Sequence, residues 1–257
     1  YHNGTGCVQN YTTAFEWFTK ASAQGDGLAM VALGSCYAFG KGCEQDYTKE
    51  VEWYTKASAQ GDTDASVLFS LGLCYRNGWG CDQDYTKAVE WYTKASAQGD
   101  GAAMNDLGNC YYDGTGCNQN YTTAFKWYTK AGAQGDTDAM FSLGLCYRNG
   151  WGCDQDYTKA FEWFTKASAQ GHGGAMNNLG GCYSDGQGCV QNMTTAIEWY
   201  KKSEQLGCIE ATKNVYKAEE WFKKAAALGA NGNEQSHTSK RRKTEATTVT
   251  SDPDVDL

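Results

Sequence analysis

The residues best equipped for chemistry are the cysteines, 12 in a chain of 257 residues. Most fall in pairs spaced seven apart: Cys36 and Cys43, Cys74 and Cys81, Cys110 and Cys117, Cys146 and Cys153, Cys182 and Cys189. Two readings of each pair stand side by side. A chain that reverses at Gly150 brings the Cα atoms of Cys146 and Cys153 within the ~4.4–6.8 Å that a disulfide spans, and closing so short a loop would contribute roughly 2–2.5 kcal/mol. Alternatively, both thiols are small buried apolar groups standing where aliphatic side chains would serve. Zinc is disfavoured, because a site asks for four Cys or His ligands while each pair supplies two and the chain has only 3 histidines. No metal and no cofactor are expected. Cys7 has no partner at the start of the chain, and Cys208 stands where a helix-capping aspartate is found elsewhere.

Other reactive groups have simpler explanations. Asn10, Asn120 and Asn192 head Asn-x-Thr sequences, which accept glycans in secreted proteins. The equivalent positions elsewhere hold Asp46, Asp84 and Asp156, and Asn and Asp are interchangeable as helix N-caps. His172 matches Asp136 and reads as a surface substitution rather than a catalytic base; Glu90, Glu162 and Glu198 read as solvated helix faces. No Ser/His/Asp set, phosphate loop or recurring carboxylate pair suggests a reaction, so the chain reads as noncatalytic. The basic run from Lys240 to Lys243 suits a nuclear-import signal as well as it suits chance basicity.

The elements that carry these groups follow from a repeat. Gly-x-Gly-Cys recurs with its cysteine at Cys7, Cys43, Cys81, Cys117, Cys153 and Cys189, a period of 36 broken only by 38 between Cys43 and Cys81. Such a period marks supersecondary units that must stack to bury their apolar faces. "LGLCYRNGWGCDQDYTKA" stands letter for letter at 71–88 and 143–160, which points to duplication of a two-unit block.

Within 137–170, Ala139, Leu143 and Tyr147 share one face of a first helix that Asp136 caps and Gly150 stops. Gly144 inside it costs about 1 kcal/mol against alanine, which close helix packing would justify. After "NGWGC" a second helix starts at Asp156, with an apolar stripe of Tyr157, Ala160, Phe161, Phe164 and Ala167, Trp163 on its flank, and Gly171 as its stop. So short a loop forces an antiparallel hairpin. The predicted fold is all-α: a right-handed α-solenoid of stacked antiparallel helix hairpins with a ~36-residue repeat. In unit 63–98, two extra residues between Ala65 and Phe69 are expected to extend the helix start and to cost Ala65 its register with Leu71. Residues 1–26 read as the end of a truncated repeat and 27–206 as five complete ones. Residues 207–230 read as a degenerate cap and 231–257 as a disordered polar tail.

Bulk properties exclude other classes. A net charge of −8 argues against nonspecific nucleic-acid binding, and no stretch approaches the roughly 20 apolar residues of a membrane span. Tyr1 aligns with Tyr37 and Tyr75, in mid-helix, so a leader upstream stays open and the leaning is intracellular, cytoplasm or nucleus, with secretion not excluded.

The Leu-Gly-x-x-Tyr-x-x-Gly-x-Gly core (Leu143, Gly144, Tyr147, Gly150, Gly152), with Lys159, Ala160, Trp163, Phe164, Lys166 and Ala167, resembles the Sel-1-like repeat, a relative of the tetratricopeptide repeat. The resemblance covers roughly residues 1–229 and implies an α-solenoid adaptor or scaffold without enzymatic activity. The residue after Gly-x-Gly, usually a small aliphatic in that family, is here always cysteine. A disulfide-rich branch of the family exists among secreted bacterial proteins, with a different cysteine spacing.

Family first helices line the concave side, and the positions that vary between copies there share one stripe at i, i+4, i+7. They are Val31, Ser35 and Ala38; Phe69, Leu73 and Arg76; Asn105, Asn109 and Tyr112; Phe141, Leu145 and Arg148; Asn177, Gly181 and Ser184. Apolar anchors alternating with amides suit a protein or peptide ligand. The competing reading is that Phe69 and Phe141 pack against the neighbouring hairpin. The rival function is a secreted, disulfide-stabilised protein that binds cell-wall or surface glycans.

Overall fold

Most helices of the chain begin after an Asp or Asn whose side chain satisfies a free backbone N–H. In the computed structural model, which describes residues 8–61, 63–220 and 223–224, the Asp136 carboxylate accepts from the Ala139 N–H at 2.8 Å and the Asp156 carboxylate from the Lys159 N–H at 3.0 Å. Asn10, Asn120 and Asn192 cap their helices in the same way. These caps open a series of helices and no strand among the described residues. The order is α1 (Tyr11–Ser22), α2 (Gly27–Phe39), α3 (Tyr47–Gln60), α4 (Ala65–Asn77), α5 (Tyr85–Ala97), α6 (Gly101–Asp113), α7 (Tyr121–Ala133), α8 (Thr137–Asn149) and α9 (Tyr157–Ala169). Beyond these lie α10 (Gly173–Asp185), α11 (Met193–Gln205) and α12 (209–220). The chain divides between His172 and Gly173 into two compact units.

In the first unit α2–α3, α4–α5, α6–α7 and α8–α9 form four successive hairpins, each packed on the next. One recurring contact builds both kinds of interface. The interior glycines of the first helices, Gly72, Gly108 and Gly144, lie against the rings of Tyr92, Tyr128 and Phe164 of the same hairpin, so closely that a Cβ would collide with the ring. The leucine of the following hairpin joins the cluster around the ring. Tyr54 clusters with Leu71, Tyr92 with Leu107 and Tyr128 with Leu143. Those leucines are at most 1 % exposed, a burial that contributes roughly 1.5–3 kcal/mol each.

The Gly-x-Gly loop has two separate reasons for its glycines. Gly150 ends α8 at φ +74°, where a Cβ would be strained but would meet nothing closer than 3.6 Å. Gly152, also at φ +74°, presses on the Tyr121 carbonyl at the start of α7, and its Cβ would fall inside that backbone. Gly80 meets the Tyr47 carbonyl likewise.

The extra residues of unit 63–98 are not where the sequence reading put them. The α4 helix has 13 residues, as α8 does, with Asp64 as its cap and Val67, not Ala65, in the buried place of Ala139. The insertion falls before the helix: Asp64 follows Gly61 after two intervening residues, whereas Asp100 follows Gly99 directly. The Asp64 side chain, by accepting from the Val67 N–H, fixes the helix start in place of the apolar match at Ala65.

The second unit holds the hairpin α10–α11 and then α12, which runs without a loop and buries Ala211, Val215 and Ala218. The polar tail and its basic run lie outside the described residues.

Candidate functional site: clefts between consecutive hairpins

Three clefts open at equivalent places between successive hairpins of the first unit. Each takes the i+7 residue of one first helix and the i+4 residue of the next, together with the residue between the two loop glycines. Between the first and second hairpins these are Ala38, Leu73 and Trp79, in a cleft of about 340 Å³. Between the second and third they are Arg76, Asn109 and Thr115, in only about 40 Å³, because Arg76 Nη1 pairs with Asp106 Oδ2 at 3.3 Å. Between the third and fourth they are Tyr112, Leu145 and Trp151, with Arg148, in about 390 Å³.

The variable stripe therefore divides. Leu73, Arg76, Asn109, Tyr112, Leu145 and Arg148 line the clefts. The leading residue of each trio packs inward. Val31 joins the Tyr54 cluster, Phe69 meets the Tyr92 ring at 5.7 Å, and Phe141 meets Phe164 at 6.0 Å. Asn105 is buried, and Asn177 accepts a 2.9 Å hydrogen bond from Asn214 within the second unit. An α-helix turns about 100° and rises about 1.5 Å per residue, so i and i+7 point within about 20° of each other, and it is their separation of about 10 Å along the axis that sets one against a ring of its own hairpin and the other at the gap.

His172 is more than a surface substitution: its ring stacks on Phe141 at 4.4 Å and its Nε2 lies 3.4 Å from Asp138 Oδ1. Phe141 is thus held on both sides. Glu90, Glu162 and Glu198 are exposed, as expected.

Aromatic residues line the two larger clefts. Tyr47 and Trp79 stack at 6.0 Å, and Tyr112, Tyr121 and Trp151 form a cluster with centroids 5.1 to 6.3 Å apart. The loop tryptophans escaped the sequence reading, although they alternate with Lys41, Thr115 and Gln187 at one position of an otherwise repeated loop. Glu50 was missed as well. It lines the first cleft at 6 % exposure, where every other second helix has a buried alanine: Ala14, Ala88, Ala124, Ala160 and Ala196. Burial pushes its carboxyl up to about 7.

The cysteine pairs lie behind this surface. Cys74, Cys110 and Cys146 form part of the cleft floors. Each stands close enough to its partner, Cys81, Cys117 or Cys153, for the second sulfur to disfavour its thiolate. Burial is the larger cause and pushes all three up to about 12. Cys36 lies behind the same face with Cys43, and Cys182 is buried in α10 ahead of the half-buried Cys189. In this structure the described cysteines are thiols, and Cys117 donates weakly to the Cys110 carbonyl at 3.5 Å. Among the described residues no group of three or more His, Cys, Asp or Glu side chains is arranged to hold a metal ion. No described helix is long and apolar enough to cross a membrane.

Helix hairpins packed in series, with glycine-seated aromatic rings between them, define an α-solenoid of the tetratricopeptide-like class. The Sel1 repeat model matches residues 1–26, 27–62, 65–100, 101–136, 137–172, 174–208 and 210–229, and the chain belongs to the Sel1 repeat family. Among solved structures it is similar to a protective antigen of uropathogenic Escherichia coli with an SLR fold, at 32% identity and TM-score 0.77. That match covers 89% of this chain and 52% of the antigen, so the chain spans about half of it. It is also similar to a Sel1 repeat protein from Oxalobacter formigenes, at 33% identity and TM-score 0.73, covering 80% of this chain and 81% of that one. A tetratricopeptide protein with an unusual peptide-binding site, YrrB, shares the fold at 20% identity and TM-score 0.51, covering 80% of this chain and 97% of its own. Comparison with curated protein sequences gave no match. Proteins built from Sel1 and related repeats are generally noncatalytic scaffolds for protein interaction.

Proposed function

We propose that the array is a noncatalytic adaptor that holds an extended segment of another protein in the clefts between consecutive hairpins. The observation that carries this reading is the division of labour within each repeat. Residues that seat the rings recur in every hairpin of the first unit, whereas the i+4, i+7 and loop positions that line the clefts are Leu, Arg and Trp in the second and fourth hairpins and differ from these in the first and third. A surface that only had to stack would have no reason to differ there. Half-buried aromatics beside amides and an arginine offer anchors for side chains and partners for a peptide backbone.

The double variant Leu145→Ala, Arg148→Ala tests it, with Phe141 left intact because it packs on Phe164 and His172. Peptides selected by the parent from a random displayed library should bind the variant at least about 10-fold more weakly, a loss of about 1.4 kcal/mol. The helical circular dichroism should be unchanged. Undiminished binding by a folded variant, or no peptide selected by the parent, overturns the reading.

A further inference from the structure

The first cleft differs from its counterparts in chemistry as well as size. Its floor carries Glu50, 6 % exposed, whose carboxyl makes no hydrogen bond or ion pair with any other described residue. An unpaired buried carboxylate is costly, and the alanine at all equivalent positions shows that the stack itself needs none. Three large apolar side chains that remain exposed converge on the same place: Phe39 at 71%, Trp79 at 48% and Tyr47 at 41%. A ring face attracts a cation, and the attraction grows as water is excluded.

The neighbouring surfaces show the same chemistry already satisfied from within. In the second cleft the floor is Ala88, and the acid Asp106 has its own cation in Arg76 at 3.3 Å. Lys41, the counterpart of Trp79, lays its ammonium 5.6 Å from the ring of Tyr11, the counterpart of Tyr47, and 5.5 Å from the ring of Phe39, which leaves Tyr47 and Trp79 as the walls for an incoming cation. The third cleft has aromatic walls too, but its acid, Asp113, is exposed and shares the cleft with Arg148, whereas the first cleft sets its acid on a buried floor with no cation among its lining residues.

We infer that this cleft receives a positively charged side chain of the bound peptide, with the Glu50 carboxylate as counter-ion and the Tyr47 and Trp79 rings as walls. At about 340 Å³ it falls within the size range of small-ligand pockets. The inference rests on the peptide-binding reading above, which alone makes the cation part of a peptide.

Two measurements separate the ideas. The first is a titration of the full chain with n-butylammonium, n-butylguanidinium and neutral n-pentanol, read by the NMR signal of the Trp79 indole N–H. At least one of the two cations should give a saturable shift, and which of them does so says whether lysine or arginine is read. Pentanol should give none, and Glu50→Gln should weaken the cation's binding at least 10-fold. Equal response to pentanol, no response to either cation, or an unaltered response in Glu50→Gln overturns the cation site. The second is library selection with the parent and with Glu50→Gln. Loss of lysine- or arginine-containing peptides from the variant's selection supports the inference. Identical selections overturn it and leave the peptide groove standing. If the parent selects no peptide, the groove reading falls, and the titration alone decides whether the cleft takes a cation.

Discussion

Glu50 is the residue at which folding and binding pull apart most clearly. Its carboxyl is raised to about 7 by burial, above the ordinary carboxylate value of 4.5. The folded state therefore holds a proton that the unfolded state releases, and stability falls as pH climbs through the window between those values. The titratable neighbours do not interfere, since Tyr54 on the same helix and Cys74 on α4 are both pushed up to about 12 and stay neutral there. Replacing Glu50 by the alanine of the other repeats removes this dependence. The melting temperature of Glu50→Ala should exceed the parent's by a margin that is larger at pH 8 than at pH 5, measured by thermal unfolding at both. An equal margin at the two pH values would show that the carboxyl is not desolvated.

At the scale of the element, glycines decide how closely the helices approach, and they do so in two ways that a substitution series separates. Gly150→Ala meets only the left-handed backbone penalty of about 1–2 kcal/mol. Gly152→Ala meets that penalty and a collision with the Tyr121 carbonyl, which no rotamer change relieves. Gly144→Ala keeps a helical backbone but drives into the Phe164 ring, an overpacking cost of typically 1–3 kcal/mol. Urea unfolding should rank Gly152→Ala as the most destabilising of the three; a smaller loss than for Gly150→Ala would contradict the inter-repeat contact. The helices, the caps of α8 and α9 and the interior glycine were legible in the sequence, because each rests on a local spacing or a local hydrogen bond. The insertion before α4 was misplaced because an apolar match was followed where the Asp64 cap held the information. The clefts were half legible. Variation identified the stripe, but which of its residues turn toward a ring of the same hairpin is set by packing between helices, as Phe141 between Phe164 and His172 shows.

At the scale of the molecule, each hairpin of the first unit is held by its neighbours, so stability is a sum of hairpin and interface contributions. No single core spans the four hairpins; the clusters around Leu71, Leu107 and Leu143 each belong to one junction. That arrangement leaves the proposed binding surface segmented, one cleft per junction, each free to carry its own chemistry without repacking the rest. It also makes damage local. Gly80→Ala disturbs the contact with Tyr47 at the start of α3, and Gly152→Ala the contact with Tyr121 at the start of α7. Local opening is favoured where an interface has been weakened, and amide hydrogen exchange reports it residue by residue. Exchange in Gly80→Ala should accelerate chiefly in α3 and α4, and in Gly152→Ala chiefly in α7 and α8, with α2 and α3 protected as in the parent. If both variants speed exchange evenly across the four hairpins, the unit unfolds as one cooperative block, and the clefts cannot be tuned independently.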